Sequence, residues 1–283
     1  MTVLLSSKRG AVLWLTLNRP EQRNAQDTEL IEALSAALKE ADWDDDVRVV
    51  VIAAAGDHWS TGHDLKGILD PGAGDPWRPM RETPEGKMRH EQLMYVDKCL
   101  ELYHFRKPTI AAVQGACVAA GLMLASMCDL IVAAEDAWFS NPVLKMSGAG
   151  VELLTEPWDI GFRKAKEFLF TGDKIDAQEA WRLGLVNRVV PRAELEQRAL
   201  ALAEQVALVP PITAQMVKQS INQAQSLAGK EHSWKFHFVA HHFTHNSATA
   251  LRMLEERATK SSMKEVFADR DRGDIPIVPQ HGP

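Results

Sequence analysis

Lys107-Pro108-Thr109-Ile110-Ala111-Ala112-Val113-Gln114-Gly115-Ala116-Cys117-Val118-Ala119-Ala120-Gly121 takes the chain through a strand, a turn and the start of a helix. Thr109 to Gln114 is apolar and β-rich, Gly115 is a turn residue, and Gly121 to Met127 is a helix of mostly small residues. The first turn of such a helix leaves backbone N–H groups unpaired at the positive end of the helix dipole. Upstream, Trp59-Ser60-Thr61-Gly62-His63-Asp64-Leu65-Lys66 makes a second turn of this kind, shortly after the apolar run Val47 to Ala54. Gly62 permits an unusual backbone angle there, and Asp64 is placed to cap a following helix. Two strand-to-helix turns that face one point would present two N–H groups to a developing oxyanion.

The rest of the chain frames these turns. Ala11 to Asn18 reads as a strand ending at Arg19-Pro20, and Thr28 to Trp43 as an amphipathic helix capped by Asp27. Strand, helix and strand in that order imply an α/β architecture. Asp70 to Glu85, with Pro71, Gly72, Gly74, Pro76, Pro79 and Pro84 around Trp77, reads as a loop. Met88 to Phe105 is helical, and Leu130 to Ala134 is a strand. A helix opens at Asp176 with Glu179 in its first turn and ends at Gly184. Val186 to Val190 is a strand. From Arg192 onward the pattern is helical, broken by Pro210-Pro211. The expected organisation is an α/β core over 1–200, a helical region over 201–268 and a loose tail over 269–283.

Composition narrows the function. With 283 residues, 46% of them hydrophobic, the chain suits one large domain or slightly more. A formal charge of −6 without a Lys/Arg-rich stretch argues against nucleic acid as a partner. Cys99, Cys117 and Cys128 fit neither a disulfide framework nor a metal knuckle, so a reducing, cytoplasmic setting is expected. Met1 to Gly10 lacks the apolar core of a signal peptide. No run approaches the ~18 apolar residues of a membrane span.

Five motifs in order resemble the crotonase, or enoyl-CoA hydratase/isomerase, superfamily. They are Leu17-Asn18-Arg19-Pro20 with Arg23-Asn24-Ala25, the turn Ser60 to Lys66, Lys107 to Gly115, Cys128-Asp129-Leu130, and Thr171-Gly172-Asp173 with the helix that follows. The resemblance runs from about Val3 to Val266. It implies a spiral of ββα repeats followed by a helical C-terminal trimerisation region, giving a homotrimer or a dimer of trimers. It implies an acyl-CoA thioester as ligand, with no metal or redox cofactor beyond the coenzyme A of the substrate. The oxyanion-hole N–H groups fall at His63 and Ala120, where only the backbone is needed and the imidazole would be incidental. Arg23 falls near the CoA phosphates, while Asp64, Leu65 and Lys66 lie along the adenine and pantetheine.

The departures are as informative. The two glutamates that hold and activate water in family hydratases fall at Met123 and Val143, and neither side chain can transfer a proton. Both positions line the acyl site in the family. Glu152, in the loop Ser147 to Glu152 bordering the acyl pocket, is the substitute carboxylate. Some family isomerases place theirs one position earlier, counting from Asn141-Pro142. The apolar neighbours Val151, Leu153 and Leu154 are expected to raise its pKa by desolvation. A double-bond shift needs one base for both proton transfers, so isomerisation is favoured. The alternatives are a hydratase with other acid–base groups and a non-catalytic acyl-CoA binder. His237, His241 and His245 fall on one helical stripe, with His232 and His242 nearby. No carboxylate or cysteine partner stands at matching spacing, so a subunit contact or polar helix face is expected there rather than a metal.

Overall fold

The sheet begins earlier than the sequence suggests. In the computed structural model, which describes residues 2–65, 76–146 and 148–257 together with Glu265, Ala268 and Arg272, β1 (Leu4–Arg9) pairs antiparallel with β2 (Val12–Leu17). Its side chains are mostly exposed, so it is an edge strand without the apolar run that marks the others. Helix α1 (Thr28–Trp43) has the expected bounds, with the Asp27 carboxylate accepting from the Leu30 N–H at 2.9 Å. Strand β3 (Val49–Ala54) follows. Pro79–Glu82 is a 3-10 turn, and α2 (Pro84–Glu91) starts with Thr83 Oγ1 accepting from the Gly86 N–H. The expected loop thus ends early, because Thr83 is a cap and Pro84 suits a helix's first position. Residues 70–75 of that loop lie outside the described residues.

A π-helical turn, Gln92–Val96, joins α2 to α3 (Asp97–Tyr103). Then come β4 (Thr109–Val113), β5 (Ala116–Val118), α4 (Ala120–Ser126), β6 (Leu130–Ala134) and β7 (Trp138–Ser140). After the short α5 (Glu156–Asp159) run α6 (Phe162–Thr171), β8 (Ile175–Asp176), α7 (Ala177–Leu183) and β9 (Arg188–Val190). Asp176 caps α7 by accepting from the Glu179 N–H, and Gly184 closes it in a left-handed conformation. The Glu179 side chain turns to Arg182 rather than back to the cap. The C-terminal part consists of α8 (Leu195–Ala207), α9 (Pro211–Leu227), α10 (Lys230–His245) and α11 (Ala248–Arg257).

A six-stranded sheet has the order β1-β2-β3-β4-β6-β9, parallel from β2 onward. Alternate residues face opposite sides. Val50 and Ile52 join the core beneath α1 and α3, while Val49, Val51 and Ala53 pack on Leu195, Ala199 and Leu202 of α8. Burial on both faces explains the unbroken apolar runs. A smaller sheet, β5-β7-β8, sets β5 beside the 59–64 turn. The result is a mixed α/β core with a helical C-terminal part. Among the described residues no single helix is long and apolar enough to cross a membrane.

The C-terminal aromatics divide. Trp234 and Phe238 are buried within the chain, whereas Phe236 and Phe243 are exposed, as are Ile212, Met216 and Ile221 of α9. Phe236 and Phe243 are thus the two of these aromatics that the chain does not bury itself.

The two functional turns touch. Ser60 donates its N–H to Ala116 O and accepts from the Val118 N–H, at 3.1 and 3.0 Å. A methyl group on Gly121 would overlap the Ser60 carbonyl. Gly121→Ala is therefore expected to destabilise the fold by about 1–3 kcal/mol, as overpacking does. Urea denaturation would show a lower midpoint with an unchanged slope; an unchanged midpoint would mean that the turns have room to separate.

Candidate active site

The backbone N–H groups of His63 and Ala120 lie on turns that touch. Gln26 pairs with the first turn as a parallel bridge, donating to Gly62 O at 2.8 Å and accepting from the Asp64 N–H at 3.0 Å. In that pattern the intervening residue, His63, directs its own N–H away from Gln26. Ala120 is the first residue of α4, where N–H groups have no intrahelical partner. Ala119 before it has φ 51° and ψ −118°, a costly conformation for a residue with a Cβ. Bonds from its N–H to Ser140 O and from the Met123 N–H to its own carbonyl hold it there. The Gln26 side chain donates to Ala120 O at 3.1 Å and so links the turns. Gly62 is needed for the approach, since a Cβ there would stand 3.0 Å from Ala120 N.

The surrounding motif has physical work to do. Asn24 accepts from the Arg19 N–H and donates to the carbonyls of Ala55 and His58, tying the 19–24 turn to the exit of β3. Arg19 bridges Asp27 and Asp64, each at 3.0 Å. Asp64 thus answers a guanidinium at the edge of the turn. Arg23 is exposed, and its carbonyl accepts from the Thr61 N–H. Leu65 is half-buried. Lys66 lies outside the described residues.

The site's main departure from expectation is the His63 side chain. Its Nε2 lies 3.0 Å from Glu152 Oε2. Its ring stacks on Tyr95 with centroids 3.7 Å apart. The imidazole is therefore engaged, not incidental, and Glu152 meets the site through it. Glu152 is almost fully buried. Burial by itself would raise its pKa, as expected from its neighbours, but pairing with His63 outweighs that and lowers it. An ionised carboxylate only accepts, so the hydrogen sits on Nε2. Nδ1 is buried and has no hydrogen-bond partner.

The loop that presents Glu152 is braced from α10. His237 Nε2 lies 2.8 Å from Val151 O, His241 Nδ1 lies 2.9 Å from Gly150 O, and Thr244 Oγ1 accepts from the Ala149 N–H. The histidine stripe thus faces this loop within one chain. Met123 is buried, with its sulfur accepting from the Leu153 N–H at 3.4 Å, and Val143 is buried against Gly148. An apolar pocket lies beside His63, Gln26 and Met123. Its walls are one face of α1, from Leu30 to Leu38, together with Met94 and Tyr95 from the π turn.

The family model for enoyl-CoA hydratase/isomerase matches residues 7–261. The chain belongs to the enoyl-CoA hydratase/isomerase family. EchA13 of Mycobacterium tuberculosis is 39% identical over 247 residues, covering 83% of this chain and 78% of EchA13. A crystal structure from Mycobacterium smegmatis superposes with a TM-score of 0.82 at 40% identity, over 89% of this chain and 98% of that one. An enoyl-CoA hydratase/isomerase from Xanthobacter autotrophicus Py2 gives 0.82 at 31% identity, over 97% and 99%. The crotonase fold implied by the motif order is thereby established for this hydratase/isomerase family member.

Sequence reasoning missed Gln26 and Tyr95. The signal for Gln26 was its place just past the Arg23-Asn24-Ala25 motif, one residue before the Asp27 cap. Tyr95 gave none, because the π turn shifts the helical register that would have placed it.

A second buried carboxylate behaves oppositely. Glu156 Oε1 accepts from Asn141 Nδ2 at 2.6 Å, while Oε2 has no partner. Burial pushes its pKa up to about 7. The folded chain then keeps a proton that the unfolded chain releases above about 4.5, so stability falls as pH rises between those values. At roughly 1.4 kcal/mol per unit the loss is on the order of 3 kcal/mol. Glu156→Gln is expected to gain that much on the wild type between about pH 5 and pH 8. A stability difference that is the same at both pH values would contradict this assignment.

Proposed function

We propose that this chain acts on an acyl-CoA thioester, holding its enolate oxygen with the N–H groups of His63 and Ala120 and shifting a double bond. The observation that carries the reading is the His63 ring, with Nε2–H on Glu152 and a buried, unpartnered Nδ1. A carboxylate behind an imidazole fixes the tautomer and stabilises the imidazolium once it forms. The Nδ1 lone pair removes a proton from the α carbon of a 3-enoyl thioester. The electron pair moves to the thioester oxygen, giving a dienolate. The imidazolium returns the proton to the γ carbon, which leaves the 2-enoyl thioester and a neutral His63. Glu152, the base expected from sequence, acts on this reading through the ring. The acyl chain takes the pocket along α1, whose lining from Leu30 to Leu38 spans about 12 Å at the helical rise. Exposed Arg23 takes the CoA phosphates, with Asp64, Leu65 and Lys66 along the pantetheine and adenine.

His63→Gln and Glu152→Gln both leave the backbone N–H groups in place. Each is expected to slow exchange of α-protons with deuterium in a bound acyl-CoA by ~10²–10⁴-fold, read by NMR in heavy water. Acyl-CoA affinity should stay nearly unchanged. Exchange at the wild-type rate in both variants would remove the pair from the mechanism. A second reading, hydration, is favoured by the presence of two titratable groups where a water molecule would need an acid and a base. Formation of a 3-hydroxyacyl-CoA from a 2-enoyl-CoA would select it. Tight binding with neither exchange nor hydration in the wild type would leave a non-catalytic binder.

Assembly as a homotrimer or a dimer of trimers accords with the exposed apolar side chains of α9 and α10, among them Ile212, Met216, Ile221, Phe236 and Phe243. Light scattering is expected to give three or six chains per particle. A monomer at micromolar concentration would refute it.

A further inference from the structure

Behind the Glu152 loop, three ligand-type side chains converge without a role in the chemistry above. Glu91 is the last residue of α2, and His241 and His242 lie on α10. His241 Nε2 is 3.2 Å from Glu91 Oε2, and His242 Nε2 is 3.1 Å from the same oxygen. The three donor atoms all lie within 4.8 Å of one another.

Two observations separate this cluster from an ordinary polar contact. The first is the orientation of His241. Its Nδ1 faces Gly150 O at 2.9 Å, and a carbonyl only accepts, so Nδ1 carries the hydrogen. Its Nε2 faces Glu91 Oε2 at 3.2 Å, so His241 and His242 both turn a ring nitrogen to one carboxylate oxygen. A backbone carbonyl on the far nitrogen is also the usual outer partner of a metal-bound histidine. The second is His242. It is 8% exposed, and its Nε2 makes no hydrogen bond although Glu91 Oε2 is 3.1 Å away. The atom is close to the carboxylate but off the line along which an N–H would donate. A shared proton would align it; a shared ion would not.

We propose that Glu91, His241 and His242 form a site for a divalent transition-metal ion of the zinc type. Bonds of about 2.0–2.1 Å in a tetrahedral set put neighbouring ligand atoms roughly 3.3 Å apart. The two nitrogen–oxygen separations of 3.1 and 3.2 Å are near that edge. Two imidazoles and one carboxylate suit zinc or cobalt rather than magnesium or calcium. The Glu91 side chain is 22% exposed, so water reaches the site and can take the fourth position.

The ion would serve as a clamp. Glu91 ends α2 where the π turn begins, and that turn places Tyr95 on the His63 ring. His241 holds Gly150, two residues before Glu152. One ion would thus fix both supports of the His63–Glu152 pair. The site itself stands whether or not that pair is catalytic.

The test uses full-length protein freed of metal with a chelator. Calorimetry with Zn²⁺ is expected to give one site per chain. Co²⁺ should give the intense visible bands of a four-coordinate ion, and either metal should raise the melting temperature. Glu91→Gln, which preserves size, and His242→Phe should each weaken Zn²⁺ binding by at least ~10–100-fold and abolish the Co²⁺ bands. Circular dichroism checks that both variants are folded; if His242→Phe is not, Glu91→Gln decides. No stoichiometric binding by the wild type would overturn the proposal. So would binding that survives Glu91→Gln, since the ion would then sit on other histidines, such as His104 or His232.

Discussion

The contact between Ser60 and Gly121 sets the geometry of everything around it. It brings a turn after β3 and a turn after β5 into van der Waals contact, closer than any side chain at position 121 would allow. Each turn alone is a common way of leaving a strand. Ser60 on Ala116 and Val118, and Gln26 on Gly62 and Ala120, lock them together. The strained Ala119 is a consequence. Its conformation persists because bonds on both sides over-determine it.

The same framework gives two equally buried carboxylates opposite characters. Glu152 and Glu156 are each 3% exposed, so desolvation opposes ionisation in both. Glu152 faces an imidazole and stays a carboxylate; Glu156 faces the Asn141 amide, a weaker donor, and its pKa rises. The partner, not the burial, decides. That is why the sequence misleads at Glu152: Val151, Leu153 and Leu154 correctly announce a dry setting, but the residue that reverses its effect is His63, 89 positions away.

Legibility in the sequence follows the range of the forces. Helix α1 was readable to its end residues because its cap and apolar spacing are local. Strands β3, β4 and β6 were readable because both faces are buried. The three-residue strands β5 and β7 were not, since their pairing comes from the fold rather than from composition. The position of Glu152 was legible as a carboxylate on a glycine-rich loop. Its working direction was not, because that loop is held by His237 and His241, which the spacing alone suggested were facing outward.

His63 joins the two halves of the site in one residue. Its main chain is fixed by the bridge to Gln26 and on the proposed function supplies the N–H for an oxyanion. Its side chain is fixed by Tyr95 and Glu152 and supplies an imidazole. A backbone donor survives any substitution except proline, so the turn constrains the side chain at this position very little. The position is therefore free to acquire a proton-transfer group without disturbing oxyanion binding, provided that a partner fixes its tautomer. Met123 and Val143 cannot move protons, and on the proposed function the pairing of His63 with Glu152 supplies that group to the pocket. Because the donor and the imidazole belong to one residue, the proposed function draws both from His63.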